Sequence, residues 1–161
     1  MSAPGVSDAD ITSDIYATAL LRPSAGSVRG EWSMRKVYIA TKYENKAAAE
    51  ELSVKLFHEA HMQSTSSWHL YAGTDENSDY RRLRCADQDM RDVEAADEFV
   101  LLWHPGIQGA LVELGMALQL RKFITLIDFP EGGTVFFYHE FVKRMTLSEY
   151  LDSKIPRQER G

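Results

Sequence analysis

The chain has 161 residues, 44% hydrophobic and 26% charged, with 24 acidic against 18 basic side chains and a formal net charge of −6. That length suits one domain with a sizeable core, and the acidic balance, with both signs interspersed, argues against nucleic acid as a partner. No apolar run approaches membrane-spanning length, the first residues carry no secretory pattern, and a single cysteine, Cys85, excludes an internal disulfide framework and points to the cytoplasm.

Residues 1–33 are rich in Ser, Ala, Gly and Asp. Ile11, Ile15 and Ala19 fit one short helix, and residues 22–27 read as linker, so this segment is expected to be a flexible extension of a domain covering 34–155. Residues 36–41 form the first expected strand, with Tyr38 inside it. Thr41, Lys42 and Tyr43 follow at its carboxyl end, where open α/β sheets bind ligands, and are expected to wall a pocket. The loop matches neither G-x-G-x-x-G nor a P-loop. Residues 46–60 carry Ala48, Leu52, Leu56 and Ala60 at helical spacing, flanked by Ala49 and Phe57.

A second strand is expected over 62–68, with Ser and Thr in place of the usual Val and Ile. His58, His61 and His69 lie nearby without a carboxylate or Cys to complete a metal pattern, so no metal is expected. Residues 70–80 read as a long polar loop, and 80–96 as a helix with Met90, Val93 and Ala96 inward. Asp89 borders that buried face, four residues before Val93, whereas Asp87 and Asp92 read as solvated.

An apolar run, 99–103, a turn, 104–106, an apolar helix, 109–118, and a second apolar run, 123–127, then form a parallel α/β unit. The helix is apolar nearly all round except at Glu113. The spacing places Glu113 in the first turn, where the helix dipole favours its ionised form, and Gly109 and Gly115 clear space for a ligand or a neighbouring backbone. An ionised, poorly solvated carboxylate suits a nucleophile; a first-turn Glu facing water is the plainer alternative. Residues 128–133 read as a turn. Residues 135–139 with Phe141 and Val142 hold the last strand or its approach, and Thr146 to Glu149 is a capping box opening a final helix that ends before Pro156. Residues 156–161 are expected to fray.

Three places give a family resemblance: Val37, Tyr38, Ile39 and Ala40; Asp89 followed by Ala95, Ala96, Asp97 and an apolar strand; and Glu113, Leu114, Gly115, Met116 and Ala117 followed by Lys122 and a strand. In that order and spacing the chain resembles the nucleoside 2-deoxyribosyltransferase family and the related deoxynucleoside monophosphate N-glycosidases over about residues 35–152. The resemblance implies a flavodoxin-like three-layer sandwich, a five-stranded parallel sheet with helices on both faces. It also implies cleavage or transfer at an N-glycosidic bond of a nucleoside or nucleotide, without metal or cofactor. By it, Glu113 is the nucleophile, Asp89 helps the base depart, and Tyr38 orients Glu113. Such chemistry passes through an oxocarbenium-like state that a carboxylate stabilises and captures.

The deoxyribosyltransferases carry an acidic residue before the nucleophile helix; here Gly106, Ile107, Gln108 and Gly109 stand there, and Gln108 is the candidate reader of a base edge. The monophosphate hydrolases carry a Gly/Ser-rich loop after the first strand; here it is Thr41, Lys42, Tyr43 and Glu44. Nucleoside against monophosphate, and transfer against hydrolysis, stay open. So do a non-catalytic nucleotide-binding domain and a dinucleotide glycohydrolase on the same scaffold. Members of the family are often oligomers, so a homodimer or larger homo-oligomer is expected, with Phe136, Phe137, Tyr138 and Phe141 as candidate contacts.

Overall fold

The computed structural model describes residues 33–71, 79–130 and 132–155. The expectations for the N-terminal extension (save Ser33), for most of the polar loop and for the tail lie outside the described residues.

Five strands, β1 (Arg35–Ala40), β2 (Met62–Ser64), β3 (Glu98–Leu102), β4 (Phe123–Ile127) and β5 (Val142–Met145), form one sheet in the order 2-1-3-4-5. Every neighbouring pair is parallel. Among the described residues five α-helices accompany them: α1 (Lys46–Ala60), α2 (Trp68–Tyr71), α3 (Asp79–Ala95), α4 (Gln108–Gln119) and α5 (Leu147–Lys154). This is a flavodoxin-like fold, whose topological switch point lies between β1 and β3.

Side-chain alternation along the strands makes two cores. Val37, Ile39, Val100 and Ile127 pack with Leu52 and Leu56 of α1 and Tyr150 of α5. Tyr38, Phe99, Leu101 and Leu126 pack with Val93 of α3 and Ala110, Leu114 and Ala117 of α4. Coverage on both faces explains why β3 is buried along its whole length and reads as a continuous apolar run.

Three expectations are corrected. The second strand stops after three residues. Beyond it the Ser66 hydroxyl accepts from Ile39 N at 2.6 Å and donates to Ile39 O at 3.1 Å, so a side chain satisfies β1 where a ladder would otherwise continue. Trp68 opens α2 and donates from Nε1 to the same Ile39 carbonyl at 2.9 Å. Second, the reading of residues 135–139 with Phe141 and Val142 as the last strand or its approach narrows: Val135–Tyr138 form a 3-10 turn on the approach, with only Phe137 of the four buried, and the strand begins at Val142. Third, Met90 points outward at 53% exposure, while Asp92, expected in solvent, is 8% exposed. The inward side of α3 is therefore rotated toward Asp92 and Val93.

At the opposite end of the sheet from the loops that follow β1 and β3, Glu98 opens β3 almost fully buried. It receives Lys154 at 2.7 Å and Arg35 at 3.3 Å, joining α5 to the bases of β1 and β3. Burial pushes the Lys154 ammonium pKa down, against the pull of Glu98. Lys122, just before β4, donates to the carbonyls of Glu94 and Ala96 at 2.6 Å each, where a cation suits the end of α3. The final helix carries the expected capping box between Thr146 and Glu149.

Truncating Glu98 strands two cations at a buried position. Glu98→Ala is expected to cost about 3–5 kcal/mol in urea unfolding, and Lys154→Met markedly less, because Arg35 still faces the carboxylate.

Candidate active site

Tyr38 enters the site from the middle of β1. Strand parity turns it onto the face covered by α3 and α4, where its ring stacks on Phe99 at 5.7 Å. Its side chain is fully buried, and its hydroxyl completes no hydrogen bond of good geometry. The hydroxyl nevertheless lies close enough to the Glu113 carboxyl to interact with it. Burial, then the charges of Glu113, Asp89 and Asp92, drive its pKa far upward. A phenol so placed stays protonated and serves as a donor.

Glu113 is in the second turn of α4, not the first: the helix begins at Gln108 and has no acidic residue in its first turn. Even from the expected start at Gly109 it is the fifth residue, already past the first turn. Glu113 follows Ala110 by three residues and precedes Ala117 by four, so it sits at the edge of the stripe that packs on the sheet. Its environment does not favour the ionised form, contrary to the first-turn argument. Burial pushes the carboxyl pKa up to about 7; Tyr38 pulls it down and Asp89 pushes it further up. Among the described residues, no cation is within ion-pair distance of it.

Asp89 comes from α3. It is half-buried, and its Oδ1 is a buried atom without a hydrogen-bond partner. Burial, and then the charge of Asp92, raise its pKa to about 6. Tyr38, Asp89 and Glu113, far apart in sequence, thus converge on one face of the sheet. Two carboxyl groups share the space and hold their protons above the ordinary carboxyl range, a common signature of sites that move protons.

The other expected residues spread around the carboxyl ends of β1 and β3. Thr41 is buried; its hydroxyl donates to Leu102 O at 2.9 Å and accepts from Asn45 at 3.1 Å, so it ties those strand ends together. Lys42 pairs with Glu44 at 3.2 Å and reaches over Gly106, whose φ of +83° favours glycine at the turn into α4. Tyr43 is 46% exposed. Gln108 and Gly109 are exposed at the start of α4, and a side chain at 109 would meet open space. Gly115 likewise faces open space, on the outer side of α4, rather than a neighbouring backbone. There it lines a groove of about 530 Å³ with Leu111, Leu118, Phe136 and His139. That groove, and another of about 370 Å³ beside Ser64 and Trp68, are separate from the carboxyl pair. The chemistry of the residues locates the candidate site.

Sequence reasoning missed Asp92 and Ser67. Asp92 accepts from Ser67 N at 2.9 Å, from the Ser67 hydroxyl and from Gln88 at 2.7 Å. Its spacing of three from Asp89, on the same helix face, was the available signal. Among the described residues no three His, Cys, Asp or Glu side chains are grouped to hold a metal ion.

A carboxyl whose pKa is raised on folding favours the folded state while protonated. Stability therefore falls as pH rises from the unfolded value near 4.5 toward about 7, then levels. Glu113→Gln removes that cost. It is expected to stabilise the protein by roughly 2–3 kcal/mol at pH 8 and by little at pH 4, in urea unfolding at both pH values.

No protein-family model and no curated protein matches the chain. Solved structures do match. A CMP N-glycosidase of Clostridium botulinum is similar at 17% identity and TM-score 0.54, with 74% of this chain and 97% of that one covered. A 2-deoxyribosyltransferase of Bacillus psychrosaccharolyticus is similar at 14% identity and TM-score 0.61, with 73% and 90% covered. At these identities the likeness establishes the fold: this chain shares the flavodoxin-like fold of those two enzymes.

Proposed function

We propose that this chain is an enzyme that breaks or transfers the N-glycosidic bond of a nucleoside or nucleoside monophosphate, with residues 34–155 as its catalytic domain. The observation that carries the reading is the convergence of Glu113 and Asp89, two carboxyl groups with raised pKa values, beside the buried Tyr38 hydroxyl. The fold shared with an N-glycosidase and a deoxyribosyltransferase supports it.

In this reading the Glu113 carboxylate attacks the anomeric carbon as the bond to the base breaks. The electron pair of that bond leaves with the base, and Asp89 supplies the proton the base takes. The product is a glycosyl ester of Glu113. Water or a second base then attacks the same carbon, returns a proton to Asp89 and frees Glu113. Tyr38 donates toward Glu113 and holds its rotamer. No step needs a metal or cofactor. Lys42, poised over the turn into α4, suits a phosphate on the sugar, and Gln108 is placed to read a base edge.

The finer assignments follow the same reading. The enzyme acts in the cytoplasm and as a homo-oligomer. Val112, Val135, Phe136 and Tyr138, exposed at 68%, 79%, 59% and 58%, give apolar surface for the contact between copies. Sedimentation of the full chain is expected to exceed the monomer mass, and Phe136→Glu to lower it; a monomeric wild type contradicts this assignment.

Free-base release, followed by chromatography, tests the function. Deoxynucleosides, their monophosphates and the ribo counterparts are each supplied with and without a second base. The wild type is expected to release base from at least one. Glu113→Ala should lose about a thousandfold or more and Asp89→Asn about a hundredfold. Activity is expected to peak near pH 6.5, between bends near 6 and 7 that belong to the carboxyl pair jointly. An inactive wild type leaves a nucleotide-binding domain instead, and a Glu113→Ala variant of equal activity overturns Glu113 as the nucleophile.

A further inference from the structure

Asp92 sits one turn along α3 from Asp89, and its carboxylate is enclosed. Ser67 donates to it twice, from its backbone N–H and its hydroxyl, and Gln88 donates once. Thr65 adds a bond from its hydroxyl to the Asp92 carbonyl at 2.9 Å. The segment that leaves the sheet after β2 is thus fastened to α3 at this one residue. Ser66, in the same segment, is hydrogen-bonded to Ile39, the residue after Tyr38. Asp92 is therefore held on both sides, by the helix it belongs to and by a loop anchored on β1. Its oxygens have their donors, whereas Asp89 Oδ1, nearby on the helix, has none.

We propose that Asp92 is a positioning residue of the site: fixed by Ser67 and Gln88, it sets a negative charge beside Asp89 so that Asp89 keeps a proton to give to the departing base. The inference rests on the reading of Glu113 as nucleophile and Asp89 as acid. Among the described residues, the titratable groups whose fields reach this cluster are Asp92 from α3, Glu113 from α4 and Tyr38 from β1. Of these, Asp92 is the one that adds charge to Asp89. Without it, burial alone would hold the proton on Asp89. The arrangement also divides labour between two acidic residues on one helix face. The one with satisfied oxygens provides the field, and the one with an unsatisfied oxygen remains available to a ligand.

The test follows the side-chain carboxyl of Asp89 by carbon NMR across a pH titration of the full chain, in wild type, Asp92→Asn and Ser67→Ala. Wild type is expected to show a midpoint near 6. Asp92→Asn should lower it by about one pH unit, the scale of a single charge about 6 Å away. Ser67→Ala removes a donor but keeps the charge, so the midpoint should stay high while stability falls. An unmoved midpoint in Asp92→Asn overturns the inference, as does an equal drop in Ser67→Ala, which would assign the effect to packing. If Asp92→Asn does not fold, a wild-type Asp89 midpoint in the ordinary carboxyl range is sufficient to overturn it. The titration needs no turnover, so it stands apart from base release. Where base release is present, the acid-side bend of the kcat/KM profile should move down with the Asp89 midpoint. A lowered midpoint in a protein that releases no base leaves the electrostatic coupling intact and rejects the catalytic reading.

Discussion

The carboxyl of Glu113 is half-buried against the sheet with no cation at ion-pair distance among the described residues, and the candidate site depends on how the fold tolerates that. Glu98 shows the usual solution within the same protein. It is a still more buried carboxylate, at the start of the central strand, but Lys154 and Arg35 hold it, and its role is to fasten α5 to the strand bases. Each of the two has a buried tyrosine hydroxyl nearby, Tyr150 beside Glu98 and Tyr38 beside Glu113. The difference is the cations. Where they are present the charge is neutralised in place. Where none is found among the described residues, the carboxyl holds its proton to about pH 7, and the form that can attack is the carboxylate released as pH rises through that value. Such a group costs stability, and the surrounding core must be rigid enough to bear it.

The fold supplies that rigidity through its topology. β1 and β3 lie at the centre of the sheet, and the register between them sets Tyr38 opposite Phe99. The chain leaves β3 through a glycine turn and enters α4, which packs back on the same face. α3 arrives at that face from the other side. Three elements that are distant in sequence therefore meet at one place because the strand order reverses there. The loops carrying Thr41, Lys42 and Gln108 occupy the same end of the sheet, so a ligand bound by them lies at the end of β1 and β3 that leads into α4.

Much of this was legible in the sequence because periodicity reports burial. The continuous apolar runs of β3 and β4 and the 3.6-residue spacing of α1 gave their elements directly. Thr146 and Glu149 announced α5 through a local rule, the capping box. Pattern already marked Glu113, the charged residue in a helix apolar nearly all round, and set Asp89 at the border of a buried face; the resemblance assigned their roles and added Tyr38, which periodicity alone leaves as an ordinary strand residue. What was not legible depended on tertiary hydrogen bonds. Ser66 and Ser67 look like weak strand residues, and nothing local shows that one replaces a ladder bond and the other grips Asp92. Asp92 looks solvated because acidic residues on acidic helices usually are. The error on Glu113 was of another kind: it was counted into the first turn, implying ionisation by the dipole, although it is the fifth residue even from Gly109, and its burial raises the pKa instead.

The central claim is that Glu113 forms a covalent bond to the sugar. The most direct measurement is mass spectrometry of the full chain quenched in acid during turnover of a 2′-fluoro-substituted deoxynucleoside or its monophosphate, followed by peptide mapping. The account predicts a mass increase equal to the fluorinated sugar, located on Glu113 and absent from Glu113→Gln. Base release without any adduct, or an adduct on a different residue, would contradict it.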